Sequence, residues 1–314
     1  FHGHLKTSHV AVEESMLTRL YFVIETDPSH WPVYDVKAIE TELQNASRRW
    51  VDNLKIYLLS SSSPEKTHDL LKHYGDAFPL SYTDTFSAKE AIEDIFRLET
   101  LYAQGQLDVH LYRHAYMQLH HFHVRLYTID NPLSLSAMLP VLESLGLSAV
   151  TEQAHNVLPT HHETGCWIHD LEVYKSDKYP IDIKSIEVNV KSAIQAIWRR
   201  ECDLDALNGF VVRLGLPWRD VNILRTYLKY LMQSGHAVQY ATAIDVLHHN
   251  VDFVSCFIKL FYCYFDPATA REDTAKAEQE LAAVLDKVTG VYEDRVLSAL
   301  TVLLRATLRT NFFQ

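Results

Sequence analysis

Apolar positions along this chain change their period from one region to the next, and each change predicts a change of element. Residues 17 to 25, LTRLYFVIE, are rich in β-branched and aromatic types and predict a strand ending at Asp27-Pro28. Asp35 then offers an N-cap for one helix through about Leu59, whose Ile39, Leu43, Ala46, Trp50, Leu54 and Tyr57 share a face. The serine run Ser60 to Ser63 before Pro64 breaks it. A short helix around His68 to Tyr74 leads to Gly75 and a loop as far as Phe86. Ser87-Ala88-Lys89-Glu90 reads as a capping box opening a helix over Ala88 to Arg97.

From about residue 106 the period becomes two. Leu107, Val109 and Leu111 alternate with polar residues, as do Phe122, Val124 and Leu126 with His121, His123 and Arg125, so two half-buried strands follow one another. LSAMLPVLESLG predicts a short helix with Ser136 as N-cap, which puts Pro140 among the first four positions, and with Gly146 as a left-handed close. LSAVTEQAHNV and CWIHDLEVYK give two more strands around the loop His155 to Gly165. This pattern predicts an α+β sandwich over residues 76–180, with helices on one face of the sheet.

After Pro180 the chain reads as helical almost to its end, and residues 181–314 predict an all-α bundle. Asp203 is the expected cap of its second helix, Pro217 the first helical residue of its third, and Arg295 to Phe312 the last helix. Residues 1–75 hold the remaining strand and helix, a partial α+β module. The terminal stretch LRATLRTNFFQ ends an amphipathic helix on adjacent phenylalanines, which suggests that apolar structure follows and that the chain is truncated.

Composition sharpens the functional reading at one point above all. Only nine glycines occur in 314 residues, against a usual ~7%. No two of them form G-x-G-x-x-G or G-x-x-x-x-G-K, so no loop is a candidate for close approach to a pyrophosphate. The formal charge of −11 argues against a nucleic-acid backbone or an anionic membrane as partner. No apolar run approaches the ~20 residues of a membrane span and the start lacks a signal-peptide pattern, so a soluble cytoplasmic protein is expected. Four cysteines without a C-x-x-C pair read as reduced thiols, Cys256 and Cys263 as two buried small hydrophobes on one helix face.

Eighteen histidines invite a metal reading. On a strand, His121 and His123 of HHFH project to one face about 7 Å apart, a workable bite, but the same alternation describes a solvated strand face, and no acidic partner stands at a fixed spacing. His161-His162 and His248-His249 are read as divergent pairs with solvated or capping roles. Asp170 and Glu172 share a strand face, and Glu201, Asp203 and Asp205 cluster before a helix, where carboxylates complement the dipole. Arg305 and Arg309 suit a helix C-terminus, or an acidic surface on an absent domain. No catalytic, cofactor-binding or metal residue is assigned.

Five stretches in order carry a family resemblance: YGDAFPLSYTDTFSAKEAIEDI, LPVLESLGLSAVTEQAHNV, WIHDLEV, LNGFVVRLGLPWRDVNILRTYLKYLMQ and LRATLRTNFF. Together, over about residues 70 to 314, they resemble the region upstream of the catalytic domain in the large NAD-specific glutamate dehydrogenases. The resemblance implies ACT-like (ferredoxin-like) modules with a mainly antiparallel sheet, then a helical motif, in a homo-oligomeric enzyme that uses NAD. It implies that Arg309 to Phe313 lead into the catalytic domain, and that the catalytic lysines and nucleotide-binding glycines lie beyond Gln314. The expected partners are that catalytic domain, sister subunits and an amino-acid effector. The strand order departs from βαββαβ, and ligand glycines at a strand-to-helix turn are missing.

Overall fold

The computed structural model describes residues 4–12, 18–25, 35–175, 180–235, 238–268 and 271–313. Strands β1 (His4–Val12) and β2 (Thr18–Glu25) pair antiparallel, with a register shift between Leu5 and Thr7. The Asp35 carboxylate accepts the Lys37 amide at 2.9 Å and opens α1 (Val36–Ser47). The single helix expected as far as Leu59 is instead broken at Arg49, whose extended backbone starts α2 (Trp50–Ser61). Packing overrides the stripe: α2 buries Leu54 and Leu58, its Trp50 indole donates to the Phe86 carbonyl at 3.0 Å, and Tyr57 faces outward.

Ser63 accepts the Lys66 amide and Pro64 takes the first turn of α3 (Pro64–Tyr74). Inside the expected loop, Pro79 starts the short helix α4 (Leu80–Thr85), which buries Tyr82. The capping box is formed: Glu90 Oε2 accepts the Ser87 amide at 2.9 Å and the Glu90 amide reaches Ser87 Oγ at 3.4 Å. Helix α5 (Glu90–Gln104) runs seven residues past Arg97 and ends at left-handed Gly105, φ 65°.

Strands β3 (Asp108–Tyr112) and β4 (His121–Ile129), helix α6 (Leu135–Ser144) and strands β5 (Leu147–Val157) and β6 (Cys166–Lys175) follow. They build one antiparallel sheet in the order β3-β4-β6-β5. Helix α6 starts at Ser134 rather than Ser136, so Pro140 sits in its interior. Val109, Phe122, Val124, Leu126 and Leu171 pack under α6 and under α7 (Ile183–Trp198). Tyr127, Val157, Cys166 and Ile168 point the other way, into a second core with α2, α3 and α5. Helices therefore cover both faces of the sheet and not one, because apolar residues on the second face also need cover.

Beyond α7, Asp205 and not Asp203 caps the next turn by accepting the Leu207 amide at 3.1 Å. Helices α8 (Gly209–Arg213), α9 (Trp218–Gln233), α10 (Tyr240–His249), α11 (Val251–Phe265), α12 (Arg271–Leu285) and α13 (Val291–Ala306) complete the bundle. Pro217 is the N-cap of α9 and not its first helical residue. Cys256 and Cys263 are half-buried against the core, and Cys166 and Cys202 buried; all four are free. Helix α13 stops at Ala306 instead of reaching Phe312. Phe312 folds back onto Phe261 and Tyr262, with ring centroids 5.5 and 6.0 Å away, and Arg219 donates to its carbonyl at 3.0 Å. Arg305 pairs with Glu278 of α12, within this chain. One apolar core runs from Val109 in β3 to Leu304 in α13. Among the described residues no helix is long and apolar enough to cross a membrane.

Candidate functional site

Alternation along β4 separates its two faces: Phe122, Val124 and Leu126 enter the main core, while His121, His123, Arg125 and Tyr127 line the opposite face. The β4–β6 register sets His123 opposite Glu172 and Arg125 opposite Asp170. The carboxylates that no sequence spacing connects to the histidines thus come from the neighbouring strand. His123 Nδ1 lies 2.8 Å from Asp170 Oδ2, and His121 Nδ1 lies 3.3 Å from Glu172 Oε1.

Under these pairs sits a buried ionic cluster. Arg125, 3% exposed, donates to Asp94 of α5 at 2.7 and 2.9 Å and to Asp170 at 2.9 Å. Its guanidinium lies 4.3 Å from the Phe86 ring centre and 4.6 Å from that of Tyr112. Tyr112 donates to Asp170 at 2.8 Å, Tyr127 to Asp94 at 2.6 Å, and Tyr82 also donates to Asp94. Charges removed from water persist only when paired and fully hydrogen-bonded, and here one cation meets two anions with three phenols as further donors. Burial alone would raise the Asp170 pKa, but the His123 hydrogen bond and the Arg125 charge outweigh it and hold the carboxyl below its usual range. Burial pushes the Tyr82 and Tyr127 phenols well above theirs, so both remain donors.

Above the cluster the second face opens into a cavity of about 630 Å³, with Glu90, His114, His121, His123, Gln153 and Glu172 among its walls. A larger cleft, about 860 Å³, lies between α9 and the segment ending at Phe312, lined by Trp218, Tyr230 and Phe312 among others. The sheet cavity is the stronger candidate, because imidazoles and carboxylates converge there on built partners. Beside it, buried His155 contacts Ser81 Oγ at 3.1 Å through Nδ1, while its Nε2 has no hydrogen-bond partner among the described residues.

The remaining candidates are dispersed. Asp205 pairs with buried Arg225 at 2.7 Å, and Asp203 with exposed Lys229. His248 stacks on Phe210 at 4.4 Å and contacts the Ala206 carbonyl. His161 and His162 do not diverge: their rings lie 3.9 Å apart, and their ligand atoms gather with a Glu99 oxygen within 4.8 Å of one another. The loop carrying them is drawn onto α3 by the Thr160 amide, which donates to the His73 carbonyl at 3.1 Å. Gly105, Gly146, Gly215 and Gly235, the described glycines with positive φ, each follow a helix end, so none forms a strand-to-helix phosphate turn.

Four family models match the chain: glutamate dehydrogenase ACT2 domain over residues 1–51, helical motif 2 over 58–101, ACT3 domain over 106–186 and helical motif 3 over 202–267. The chain is 31% identical over 311 residues to an NAD-specific glutamate dehydrogenase of Pseudomonas aeruginosa, and 29% identical over 305 residues to that of Halomonas elongata. Each alignment covers 96% of this chain and 19% of the relative. The enzyme of the same name from Mycobacterium tuberculosis is 28% identical over 291 residues, 88% of this chain and 17% of its own. The chain spans about a fifth of the length of these relatives. With ACT and helical-motif matches in an order that follows the sheet and helices described above, this chain belongs to the NAD-specific glutamate dehydrogenase family.

Proposed function

We propose that this chain is a non-catalytic segment of a cytoplasmic NAD-dependent glutamate dehydrogenase, which positions catalytic domains and builds a homo-oligomer. The parent reaction would oxidise L-glutamate by hydride transfer to NAD and hydrolyse the imino acid to 2-oxoglutarate and ammonia. The observation that carries the reading is the use of glycine: matches to ACT and helical-motif segments coincide with a backbone in which every described glycine of positive φ follows a helix end. A pyrophosphate needs free amides at a glycine turn that opens a helix. The working units are residues 1–75, 76–180 and 181–314, with the catalytic domain and sister subunits as partners. Glutamate dehydrogenase activity of this chain alone should equal the blank, and NAD turnover clearly above it refutes the reading.

A second reading is favoured by the sheet cavity. Its imidazoles, His114, His121 and His123, suit an α-carboxylate, while Glu172 suits an α-ammonium, so the two ends of an amino-acid effector find opposite partners. Calorimetric titration with common amino acids should give saturating heat at millimolar concentration or below, abolished by His121→Ala with Glu172→Ala. Absence of saturable heat with every amino acid removes this reading and leaves the positioning role standing.

A further inference from the structure

Histidines that are merely solvated have no reason to gather, because imidazoles repel one another when protonated. Three gather beside α3 and α5. His161 stands 4.0 Å, ring to ring, from His73 of α3 and 3.9 Å from His162. His162 stacks flat on Tyr102 of α5 at 3.5 Å. One carboxylate, Glu99, faces the group, with Oε1 3.2 Å from His161 Nε2. Tyr74 donates to that same oxygen at 2.7 Å and fixes its position. In a tetrahedral site with bonds of about 2.0–2.1 Å, ligand atoms stand roughly 3.3 Å apart. The Glu99–His161 separation already has that value, and the other ligand atoms of the trio lie within 4.8 Å, a gap that a turn of an imidazole about its side-chain bonds closes.

We propose that Glu99, His161 and His162 bind a divalent transition-metal ion of the zinc class. Two imidazoles and one carboxylate are a recognised zinc donor set that leaves a fourth position, and the His73 ring is the neighbouring imidazole available to fill it. The backbone is arranged in advance: the Leu158 amide donates to the Ala77 carbonyl at 3.0 Å and the Thr160 amide to that of His73 at 3.1 Å. Glu99 and His73 lie in the span matched as helical motif 2, His161 and His162 in the ACT3 span. The ion would therefore fasten the β5–β6 loop of the sheet to the helices over its second face. Its role is structural, and no step of a reaction passes through it.

Titration of the chelator-stripped full chain with Co²⁺ tests the site. One equivalent should bind and give the intense visible bands of tetrahedral nitrogen–oxygen coordination; Zn²⁺ should displace it and raise the melting temperature. Glu99→Gln combined with His161→Gln and His162→Gln should weaken binding by at least about 10–100-fold, the range set by the loss of even an outer partner of a metal ligand. His121→Ala with His123→Ala should leave the titration unchanged. Binding that survives the triple substitution, or that vanishes with His121 and His123, overturns the assignment. Should the triple variant not fold, the unsubstituted chain decides: tetrahedral bands sustain the site, and the spectrum of the hydrated octahedral ion overturns it.

Discussion

Replacing Arg125 by glutamine tests the argument about the buried ionic cluster most directly. The substitution leaves a shorter, uncharged polar side chain and removes the charge that two carboxylates share, so that Asp94 and Asp170, at 0% and 4% exposure, lose their guanidinium and Asp170 keeps its His123 contact. Removing one partner of a buried pair costs about 3–5 kcal/mol. With roughly 2–4 °C per kcal/mol for a domain of this size, the melting temperature should fall by about 6–20 °C. The pH dependence identifies the cause. In the unsubstituted protein Asp170 is held below the usual carboxylate range, so its contribution is present above the unfolded value of about 3.9 and is lost as pH falls through the folded value. Without Arg125, one of the influences that hold the Asp170 pKa down is gone while His123 remains, so the pKa rises from its held value and protonation relieves part of the penalty as pH falls. Melting curves of both proteins should therefore differ most near pH 7 and draw together as pH falls below the unfolded value of about 3.9. A drop below about 2 °C, or a gap independent of pH, refutes the account.

Three further substitutions extend the reasoning. Burial holds His155 below its ordinary value of 6.5, so the unfolded chain takes up the proton first and stability declines as pH falls from 6.5 towards the folded pKa. His155→Phe keeps ring packing against Tyr82 and Phe86 and should flatten the melting temperature between pH 6.5 and 5; an unchanged slope would assign that dependence elsewhere. Asp205→Ala removes the salt-bridge partner of Arg225, itself 4% exposed, and should cost about 3–5 kcal/mol in chemical denaturation. Asp203→Ala, which breaks an exposed pair with Lys229, should cost only about 0.2–1 kcal/mol, and equal effects would contradict the burial argument.

The alternation of β4 and β6 and the Ser87–Glu90 box were legible in the sequence because each is local: two-residue periodicity and a three-residue reach need no tertiary information. The break at Arg49 was hidden, since an apolar stripe continued across it and only the docking of Trp50 onto Phe86 shows why the helix turns. Helix α4 is too short for a 3.6-residue period to register. The face shared by His121 and His123 was readable, but their carboxylates arrive from β6, 47 and 51 residues further along. Arg125 read as one more polar position in the alternation of β4, and Asp94 carried no signal on a helix rich in acids. The gathering of His161 and His162 with Glu99 depends on how a loop settles against α3 and α5, and no spacing rule encodes that. The scarcity of glycine translated directly into structure: the described glycines with positive φ are spent at helix ends.

The apolar core that continues from Val109 to Leu304 has a mechanical consequence. Modules joined by a wet linker swivel freely, but here any parting of sheet from bundle would bare leucine and phenylalanine on both sides. The two therefore behave as a stiff strut, and a load applied where the sheet cavity opens arrives at α13 as rigid displacement instead of being absorbed by a hinge.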